Sequence, residues 1–354
     1  MMRTERLVES MEEDDIDLFL VSRPTSIYYF TGTSAAEILV VSKEGEPLLL
    51  CPSYNVPKAA EQASQCRVCL FSEGGLVREI MDRTGVEYLR IGYDDLPLST
   101  YLALRNGLEG ADFKEASQLV WAMRSVKDVD EQRLIRRAAE ISDAGMEAAK
   151  ECLVDGIREN EVAAEAMHAM LKEGAEWSAF NMTVASGPRS AYPVGRVTEK
   201  EIRRGEFVMI DMGALYHAYT SDITRSFIIG EPAEEQKRIY ESVLEASKVV
   251  FDHFRAGNKT NDVDGVARRS ITNNGYGRYF VHSLGHGIGL DNHEHPRLSQ
   301  DSTDILQIGN VVSCEPGIYL PRLGGVRIED TILVTRSDPE RLTKFPKELD
   351  AMTA

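Results

Sequence analysis

The segment from Val281 to Glu294 reads Val-His-Ser-Leu-Gly-His-Gly-Ile-Gly-Leu-Asp-Asn-His-Glu. Together with the next residue it holds four of the seven histidines of the chain, at positions 282, 286, 293 and 295. Glycines at positions 285, 287 and 289 alternate around His286. Each glycine costs a helix about 1 kcal/mol relative to alanine, so the pattern predicts an extended or looped backbone that another group approaches closely. Imidazole is a common metal ligand and proton carrier, so the groups opposite these histidines decide the chemistry.

Two pairs of acidic residues end apolar strands on either side of this segment. Asp211 follows the run Phe207-Val-Met-Ile, and Asp222 precedes the apolar residues of a second strand. The residues between them include Gly213 and could form a bend, which predicts a hairpin with the two aspartates side by side. Glu315 and Glu329 likewise follow apolar runs, and the proline and glycines between them predict a second hairpin.

Acidic side chains inside apolar strands are rare unless they are paired or bound to metal. For any single acid, the alternative is an exposed strand end or a partner for an arginine such as Arg225 or Arg327. Two carboxylates about 4 Å apart repel by roughly 4 kcal/mol at an effective dielectric near 20. Four converging carboxylates therefore need cations, and two divalent ions about 3.5–4 Å apart would bridge them and activate a shared water.

The chain is long enough for two domains, since its 354 residues exceed one average core. Alternating strands and helices predict an α/β domain over residues 1–120. In residues 125–354 the order helix, helix, strands occurs twice, which indicates a duplicated unit. The predicted helices cover residues 4–14, 55–64, 75–84, 97–108, 129–152, 159–173, 234–255 and 262–274. The predicted strands cover residues 18–21, 38–41, 48–50, 88–91, 180–185, 206–212, 222–229, 311–315 and 327–334.

Composition restricts the partners and the compartment. The formal charge of −17 disfavours nucleic acid and anionic membranes, which are bound through positive surface. Five irregularly spaced cysteines are typical of reduced thiols in a cytoplasm, and the lone Cys66-Arg-Val-Cys69 motif predicts no metal or redox site. The amino terminus is charged and amphipathic, and the chain lacks an apolar run of the roughly 20 residues that a bilayer requires. We therefore expect a soluble, cytoplasmic protein.

Five motifs together carry a family resemblance. They are Asp211-Met-Gly, Thr220-Ser-Asp222-Ile-Thr-Arg225, His282-Ser-Leu-Gly-His286-Gly-Ile-Gly, Glu315-Pro-Gly and Gly325-Val-Arg327-Ile-Glu329-Asp. In these motifs the chain resembles the pita-bread metallopeptidases, in the branch of Xaa-Pro dipeptidase (prolidase) and Xaa-Pro aminopeptidase. Residues 124–131 resemble the start of the family's catalytic domain, and residues 27–32 resemble part of its smaller amino-terminal domain. The resemblance implies an α/β protein of two domains, with a curved antiparallel sheet in the duplicated α+β catalytic domain.

The resemblance also implies roles for individual residues. The ligands of a dinuclear metal centre would be Asp211, Asp222, His286, Glu315 and Glu329. Asp222 and Glu329 would serve both ions, and a bridging water would attack the scissile carbonyl with Glu315 as proton acceptor. His293 and His282 would hydrogen-bond the substrate carbonyl and the developing oxyanion. Arg327 and Tyr219 would support the substrate site, and Arg297 would grip a dipeptide carboxylate. The remaining histidines are predicted to be structural or exposed: His168, His217, His253 and His295.

One residue departs from the family pattern. Where the family carries Pro-His-Gly, this chain reads Tyr192-Pro-Val-Gly195. Val194 can neither transfer a proton nor bind a carboxylate, and losing such a group commonly lowers turnover by about two to four orders of magnitude. The expected metals are Mn²⁺ or Co²⁺, with Zn²⁺ or Fe²⁺ as alternatives, because oxygen-rich sites with one imidazole discriminate weakly among them. The resemblance further implies a homodimer.

Three functions are compatible with these residues. The favoured one is a metal-dependent hydrolase that cleaves Xaa-Pro dipeptides or removes the first residue of Xaa-Pro peptides. A second keeps the fold and metals but acts as another C–N hydrolase or a sulfonium-compound lyase, for which the altered pocket at Val194 is the signal. A third is a catalytically weak peptide-binding module. Methionine aminopeptidase is disfavoured, because that branch generally lacks the amino-terminal domain.

Overall fold

The computed structural model describes residues 2–84 and 89–354, and the chain forms two compact units, Met1–Arg124 and Ser125–Ala354. The two-domain α/β organisation predicted from the sequence is confirmed. Tyr88, the first residue of one predicted strand, lies outside the described residues. Among the described helices, none is both long enough and apolar enough to cross a bilayer.

The first unit alternates helices and strands. Its elements are α1 (Arg3–Glu13), β1 (Leu18–Val21), α2 (Pro24–Thr31), β2 (Ile38–Ser42), β3 (Leu48–Cys51), α3 (Val56–Gln62), β4 (Arg67–Leu70), α4 (Glu73–Thr84), β5 (Arg90–Tyr93), α5 (Leu98–Gly107), β6 (Asp112–Glu115) and α6 (Ser117–Ser125). They build a six-stranded sheet of order β4-β3-β2-β1-β5-β6. Strand β2 runs antiparallel to β1 and β3, and the pairs β1–β5, β3–β4 and β5–β6 are parallel.

The central strands of this sheet were predicted and the edge strands were not. Every residue of β1, β2 and β3 is buried, which explains their continuous apolar sequences. Strands β4 and β6 form the two edges, and their first and last residues are exposed. Edge strands carry charged and mixed sequences, so the pattern over β4 and β6 gave no strand signal. Helices α2 and α6 were also not predicted.

The second unit contains two helix pairs and several small antiparallel sheets. Its helices are α7 (Val129–Cys152), α8 (Glu159–Lys172), α9 (Glu234–Phe251) and α10 (Thr260–Asn273), with short 3-10 turns at Gly187–Ala191, Gly277–Tyr279 and Leu349–Met352. Its strands are β7 (Trp177–Ser178), β8 (Thr183–Ser186), β9 (Phe207–Met212), β10 (Ala214–Tyr216), β11 (Tyr219–Thr220), β12 (Ile223–Ile228), β13 (Gly285–Gly287), β14 (Glu294–Leu298), β15 (Val311–Cys314), β16 (Gly317–Leu320), β17 (Gly324–Arg327), β18 (Asp330–Leu333) and β19 (Glu340–Arg341).

The predicted repeat of helices followed by strands is present in this unit. Helices α7 and α8 pack together and precede the sheet β12-β9-β8, and helices α9 and α10 pack together and precede the sheet β14-β13-β15-β18-β19. One continuous core of apolar side chains underlies both halves. Asp128 is the N-cap residue of helix α7, and its side chain accepts a hydrogen bond from the Glu131 backbone at 2.9 Å in a capping box.

Two predicted strands differ from the structure. The strand predicted over residues 180–185 begins only at Thr183 in the structure. The backbone before it forms a turn, in which the Ser178 hydroxyl donates to the Phe180 carbonyl at 2.6 Å. Predicted strand 327–334 is interrupted between Arg327 and Asp330. At this break the Glu329 backbone N–H donates to the Thr224 carbonyl at 3.0 Å. The interruption therefore turns Glu329 toward strand β12.

Strand register brings the acidic residues together. In the β9–β12 pair Asp211 lies opposite Thr224, and Asp222 directly precedes β12. Cys314 pairs with Asp330 in β15–β18, and Gly317 pairs with Arg327 in β16–β17, so Glu315 and Glu329 occupy facing positions between these two ladders. Glu315 and Glu329 thus face each other as the sequence predicts, whereas Asp222 lies two positions before Thr224, the residue opposite Asp211.

Candidate metal centre and substrate cavity

Three of the predicted ligands have side-chain atoms in one small space. One ligand atom from each of Asp222, His286 and Glu329 lies within 4.8 Å of the others, and all three residues are buried. His286 Nε2 is 3.7 Å from Asp222 Oδ2 and 3.4 Å from Glu315 Oε1. The four residues come from four separate stretches of the chain, so the fold, and not the local sequence, brings them together.

His286 is held with one ring nitrogen toward the acids. Its Nδ1 is 3.0 Å from the Gly287 carbonyl, which accepts a hydrogen bond from the protonated Nδ1 and leaves the Nε2 lone pair facing the acids. Its backbone N–H donates to Ser313 Oγ at 3.1 Å, and that hydroxyl donates to Glu315 Oε1 at 3.2 Å. A Cβ on Gly285 would lie 2.1 Å from the Ser313 carbonyl oxygen, so glycine is required for this close approach.

Three buried carboxylate oxygens fit a cation. Asp211 Oδ1, Asp222 Oδ1 and Glu329 Oε1 have no hydrogen-bond partner among the described residues. Buried polar atoms are almost always paired, and each exception calls for an explanation such as an ion. Carboxylate oxygens with one imidazole are a donor set suited to divalent Mn, Co, Fe or Zn. The residues present therefore fit the divalent metal ions predicted from the sequence.

Burial and mutual repulsion raise the pKa values of the clustered acids. The pKa of Asp222 is raised well above its usual range by burial and then by the nearby charge of Glu329, and burial and Glu315 raise the pKa of Glu329 in the same way. Burial also raises the pKa of Asp211, against the opposing effect of the Arg327 guanidinium. Burial lowers the pKa of His286, which favours the neutral, metal-binding imidazole.

Arg327 connects the acids to the surrounding residues. Its guanidinium donates to Asp211 Oδ2 at 2.5 Å, to Thr224 Oγ1 at 3.0 Å and to the Pro193 carbonyl at 2.8 Å. Thr224 Oγ1 in turn donates to Glu329 Oε2 at 2.6 Å. Arg327 Nη1 also donates to the Tyr319 hydroxyl at 3.1 Å. These bonds fix one oxygen each of Asp211 and Glu329 and leave the other oxygen of each toward the centre.

A cavity of about 390 Å³ opens onto this cluster. Its wall combines the five predicted ligands with Arg327 and with residues of three neighbouring segments: Phe180, Asn181, Thr183, Pro193, Val194, Gly195, Arg196, Asn292 and His293. This volume is in the range typical of sites for small molecules. The acidic cluster thus lies at the wall of a space that a small substrate can enter.

Comparison with known proteins identifies the family. Residues 133–336 match the profile of metallopeptidase family M24, and residues 3–126 match the creatinase/prolidase amino-terminal domain. The chain belongs to metallopeptidase family M24. Membership in this family implies divalent metal ions, in agreement with the donor set of the cluster.

Relatives in family M24 match nearly the full length of the chain. The Xaa-Pro dipeptidase of Pyrococcus furiosus is 41% identical over 98% of this chain and 99% of its own length. The solved prolidase structure from Pyrococcus horikoshii has a TM-score of 0.92 at 38% identity, covering 98% of this chain and 99% of that one. The X-Pro aminopeptidase structure from Thermotoga maritima has a TM-score of 0.91 at 34% identity and full coverage of both chains. The predicted pita-bread fold with a smaller amino-terminal domain is therefore confirmed.

Three other predicted site residues, His293, Val194 and His282, lie close to the acidic cluster. His293 and Val194 line the cavity, and the ring centroids of His293 and His286 are 4.1 Å apart. His282 Nδ1 is 3.9 Å from Glu315 Oε2, but both ring nitrogens of His282 have closer partners, the Ser283 carbonyl at 2.7 Å and the Tyr319 hydroxyl at 2.9 Å.

Three predicted residues lie outside the residues that line the cavity: His282, Arg297 and Tyr219. Arg297 is exposed on β14, and its backbone N–H donates to Asp304 at 2.9 Å. Tyr219 is buried, and its hydroxyl donates to Glu131 of helix α7 at 2.9 Å. Their predicted substrate contacts stay predictions. The four histidines predicted to be structural or exposed are all exposed: His168, His217, His253 and His295.

The sequence reasoning missed several residues that support the cluster. Tyr319 bridges Arg327 and His282 through its hydroxyl, and burial raises its pKa to about 12, so the hydroxyl stays protonated. In the structure Tyr319 pairs with Gly325, where a Cβ would lie 2.7 Å from the Tyr319 ring, and no pattern in the sequence indicated this pairing. Thr224 and Ser313 hold carboxylates through hydroxyl groups, and strand sequences do not distinguish such residues from other β-branched or small residues.

Proposed function

We propose that this chain is a metal-dependent Xaa-Pro dipeptidase. The observation that carries the proposal is the convergence of Asp222, His286 and Glu329, with Asp211 and Glu315 beside them, on a substrate-sized cavity. The Pyrococcus furiosus relative, 41% identical along the whole chain, is an Xaa-Pro dipeptidase. This likeness favours a peptidase over the lyase and binding-module alternatives.

The five predicted ligands are the residues that we assign to two divalent ions. The unpaired oxygens of Asp211, Asp222 and Glu329 support this assignment, as does the Nε2 of His286, which lies 3.4 Å from Glu315 Oε1 and 3.7 Å from Asp222 Oδ2. Mn²⁺ or Co²⁺ is our first expectation, and Zn²⁺ or Fe²⁺ suits the same donors. When bound, such ions polarise the substrate carbonyl and lower the pKa of a bound water from 15.7 to about 7.

Glu315 is the residue that we assign to proton transfer. One oxygen accepts a hydrogen bond from Ser313 at 3.2 Å, and the carboxyl group lines the cavity. Burial raises the pKa of Glu315, which increases the affinity of its carboxylate for a proton. The surrounding hydrogen bonds keep the carboxylate in place during this exchange.

His293 and His282 are assigned to the substrate carbonyl and the oxyanion that develops from it. Burial lowers the pKa of both imidazoles, so each is neutral and can donate one hydrogen bond. His293 already faces the cavity. For His282 to reach the substrate, its bond with the Tyr319 hydroxyl must be exchanged for one with the reacting group.

A substrate panel tests the function. Protein loaded with manganese or cobalt should cleave Met-Pro and related dipeptides, and metal content should be measured on the same samples by mass spectrometry. Comparing dipeptides with longer Xaa-Pro peptides separates a dipeptidase from an aminopeptidase. Fully metallated protein that cleaves no Xaa-Pro substrate would refute the proposal, and screening other amides and sulfonium compounds would then identify the alternative.

The assembly and the location of the protein stay predictions. The family resemblance implies a homodimer, which sedimentation of the purified chain tests directly. A cytoplasmic location follows only from the cysteine content and composition of the sequence. Fractionation of cells that express the protein tests it.

A further inference from the structure

Residues 280–284, which include His282, lie outside the helices and strands of the second unit. They connect the 3-10 turn Gly277–Tyr279 to strand β13, so their backbone is not part of a helix or of a strand ladder. Backbone groups that are removed from water still need hydrogen-bond partners. Two side chains of helix α10, Asp264 and Arg268, supply three of these partners.

Arg268 contacts the backbone on the amino-terminal side of His282 and at His282 itself. Its Nη1 donates to the Phe280 carbonyl at 2.9 Å, and its Nη2 donates to the His282 carbonyl at 2.8 Å. The guanidinium also lies over the Phe280 ring, 4.2 Å from the ring centroid. The Phe280 ring in turn meets the His282 ring edge to face, with the centroids 5.2 Å apart. Arg268 therefore contacts the His282 backbone directly and supports its ring through Phe280.

Asp264 fixes both Arg268 and the backbone on the carboxyl-terminal side of His282. Its carboxylate accepts hydrogen bonds from Arg268 Nε and Nη2, each at 2.9 Å, and Oδ1 also accepts from the Leu284 backbone N–H at 3.0 Å. The Asp264 side chain is fully buried, and that of Arg268 is 18% exposed. Because a bidentate pair of guanidinium and carboxylate has a narrow geometry, the pair fixes its three contacts with residues 280–284.

The ring of His282 is bonded to groups outside this pair. Its Nδ1 lies 2.7 Å from the Ser283 carbonyl, and its Nε2 lies 2.9 Å from the Tyr319 hydroxyl. To reach a substrate, the ring must exchange the bond with Tyr319 for one with the reacting group. A backbone that is held on both sides of His282 confines this exchange to rotation of the side chain. Accurate placement matters, because a shift of about 1 Å can cost roughly 100-fold in rate.

We propose that the Asp264–Arg268 ion pair positions His282 for the oxyanion that develops during peptide cleavage. The proposal rests on the proposed peptidase function, in which His282 donates a hydrogen bond to that oxyanion. Neither Asp264 nor Arg268 is among the residues that line the cavity. Both are positioning residues, which act on the reaction through His282.

A double variant separates positioning from folding. Arg268→Met alone leaves Asp264 as a buried charge without its cation, which destabilises the folded protein. Asp264→Asn combined with Arg268→Met removes both charges, and asparagine keeps an acceptor for the Leu284 N–H. This acceptor matters because the Leu284 carbonyl accepts a hydrogen bond from the Glu315 backbone at 2.8 Å. The double variant therefore loses the contacts with the two carbonyl groups and preserves the position of Glu315.

The kinetic test uses manganese-loaded protein and Met-Pro. The double variant should lower kcat by about 10- to 100-fold and leave KM unchanged, because the lost effect concerns the transition state alone. In a His282→Ala background the same two substitutions should change kcat by less than about 2-fold, since the residue that they position is gone. Manganese affinity should equal that of wild type. Arg269→Gln removes an exposed charge at the next position of helix α10 and is the matched control, with the kcat of wild type.

The comparison of the two backgrounds distinguishes positioning of His282 from general support of the metal centre. Equal losses of kcat with and without His282 would overturn the proposal, because the pair would then act through other residues. A fall in manganese affinity that accounts for the loss of kcat would overturn it as well. So would a double variant with the kcat of wild type.

A measurement that needs no turnover separates failure of this proposal from failure of the peptidase assignment. In zinc-loaded protein with isotope-labelled histidine, the ring signals of His282 are identified in NMR spectra by their loss in His282→Ala. The double variant should split or broaden these signals and leave those of His286 unchanged. This result supports the positioning of His282 even if wild type cleaves no Xaa-Pro peptide. Unchanged His282 signals, together with normal cleavage by wild type, refute the positioning and leave the peptidase assignment standing.

Discussion

Arg327 donates a hydrogen bond to Asp211 Oδ2 across 2.5 Å, while Asp211 Oδ1 is buried without a partner among the described residues. The same division occurs in Glu329, where Oε2 accepts from Thr224 and Oε1 has no such partner. One oxygen of each carboxylate is thus fixed by the protein, and the other is directed toward the cluster. This arrangement predicts that residues behind the carboxylates control metal affinity.

Arg327→Lys should lower manganese affinity by about 10- to 100-fold. Lysine keeps the positive charge but cannot contact Asp211, Thr224 and Tyr319 at the same time. Titration with manganese measures the effect, and Tyr319→Phe is the matched control, since it removes one hydroxyl and leaves Asp211 fixed. Equal manganese affinity for Arg327→Lys and wild type would show that Arg327 does not orient the ligands.

Asp222→Asn should stabilise the metal-free protein and abolish its stabilisation by metal. The pKa of Asp222 is raised by burial and by Glu329, so its charge opposes folding when no cation is present. Manganese at 100 times its Kd should stabilise the wild type by about 2.7 kcal/mol, and the variant should lose that gain.

Thermal unfolding with and without manganese measures both effects. Asp130→Asn is the control for general charge loss, because the side chain of Asp130 is 85% exposed. A metal-free Asp222→Asn protein that melts below the metal-free wild type would contradict this account of the cluster.

The sequence indicated the acidic cluster better than its surroundings. The acids at 211, 222, 315 and 329 were singled out because a charge that ends an apolar strand has few structural explanations. Tyr319 was missed because tyrosine is common in strands, where its ring packs against neighbouring side chains, so its presence there does not indicate a functional site.

Asp94 predicts a pH dependence in the amino-terminal unit. Its side chain is buried, Oδ1 accepts from the Ser22 backbone at 2.8 Å, and Oδ2 has no partner among the described residues. Burial raises the pKa of Asp94. The pKa of Asp94 is therefore higher in the folded protein than in the unfolded chain, where it is about 3.9. Its contribution to stability is fully present below the unfolded pKa and is lost as the pH rises through the folded pKa.

Asp94→Asn should therefore be more stable than wild type at neutral pH, by about 1 kcal/mol or more, and the difference should shrink toward pH 4. Asparagine keeps the Oδ1 acceptor and removes the charge. Urea unfolding at several pH values measures the difference, with the exposed Asp95 changed to Asn as the control. A difference that grows as the pH falls has the wrong sign and would refute the prediction.

Val194→His should raise kcat/KM for Xaa-Pro dipeptides by roughly 100-fold, because it restores a group able to transfer a proton or bind a carboxylate at the cavity wall. The Val194 side chain is 91% exposed, so the larger ring displaces no packed atoms. Val194→Leu is the control for size. Metal content should be the same in all three proteins, and no gain for histidine would indicate a substrate other than an Xaa-Pro peptide.

Lys127 and Glu294 form an ion pair at 3.1 Å with both side chains only 1% exposed. Glu294 also accepts a hydrogen bond from the Asp291 backbone at 2.9 Å, so the pair holds the segment that carries His293. Lys127→Met leaves a buried charge without its cation and should cost about 3–5 kcal/mol of unfolding free energy. Adding Glu294→Gln removes that charge, keeps the acceptor for Asp291, and should restore at least half of the loss.

Urea unfolding measures the stability of wild type, Lys127→Met and the double variant. A single variant that loses less than about 1 kcal/mol, or a double variant less stable than Lys127→Met, would show that the pair does not hold this segment.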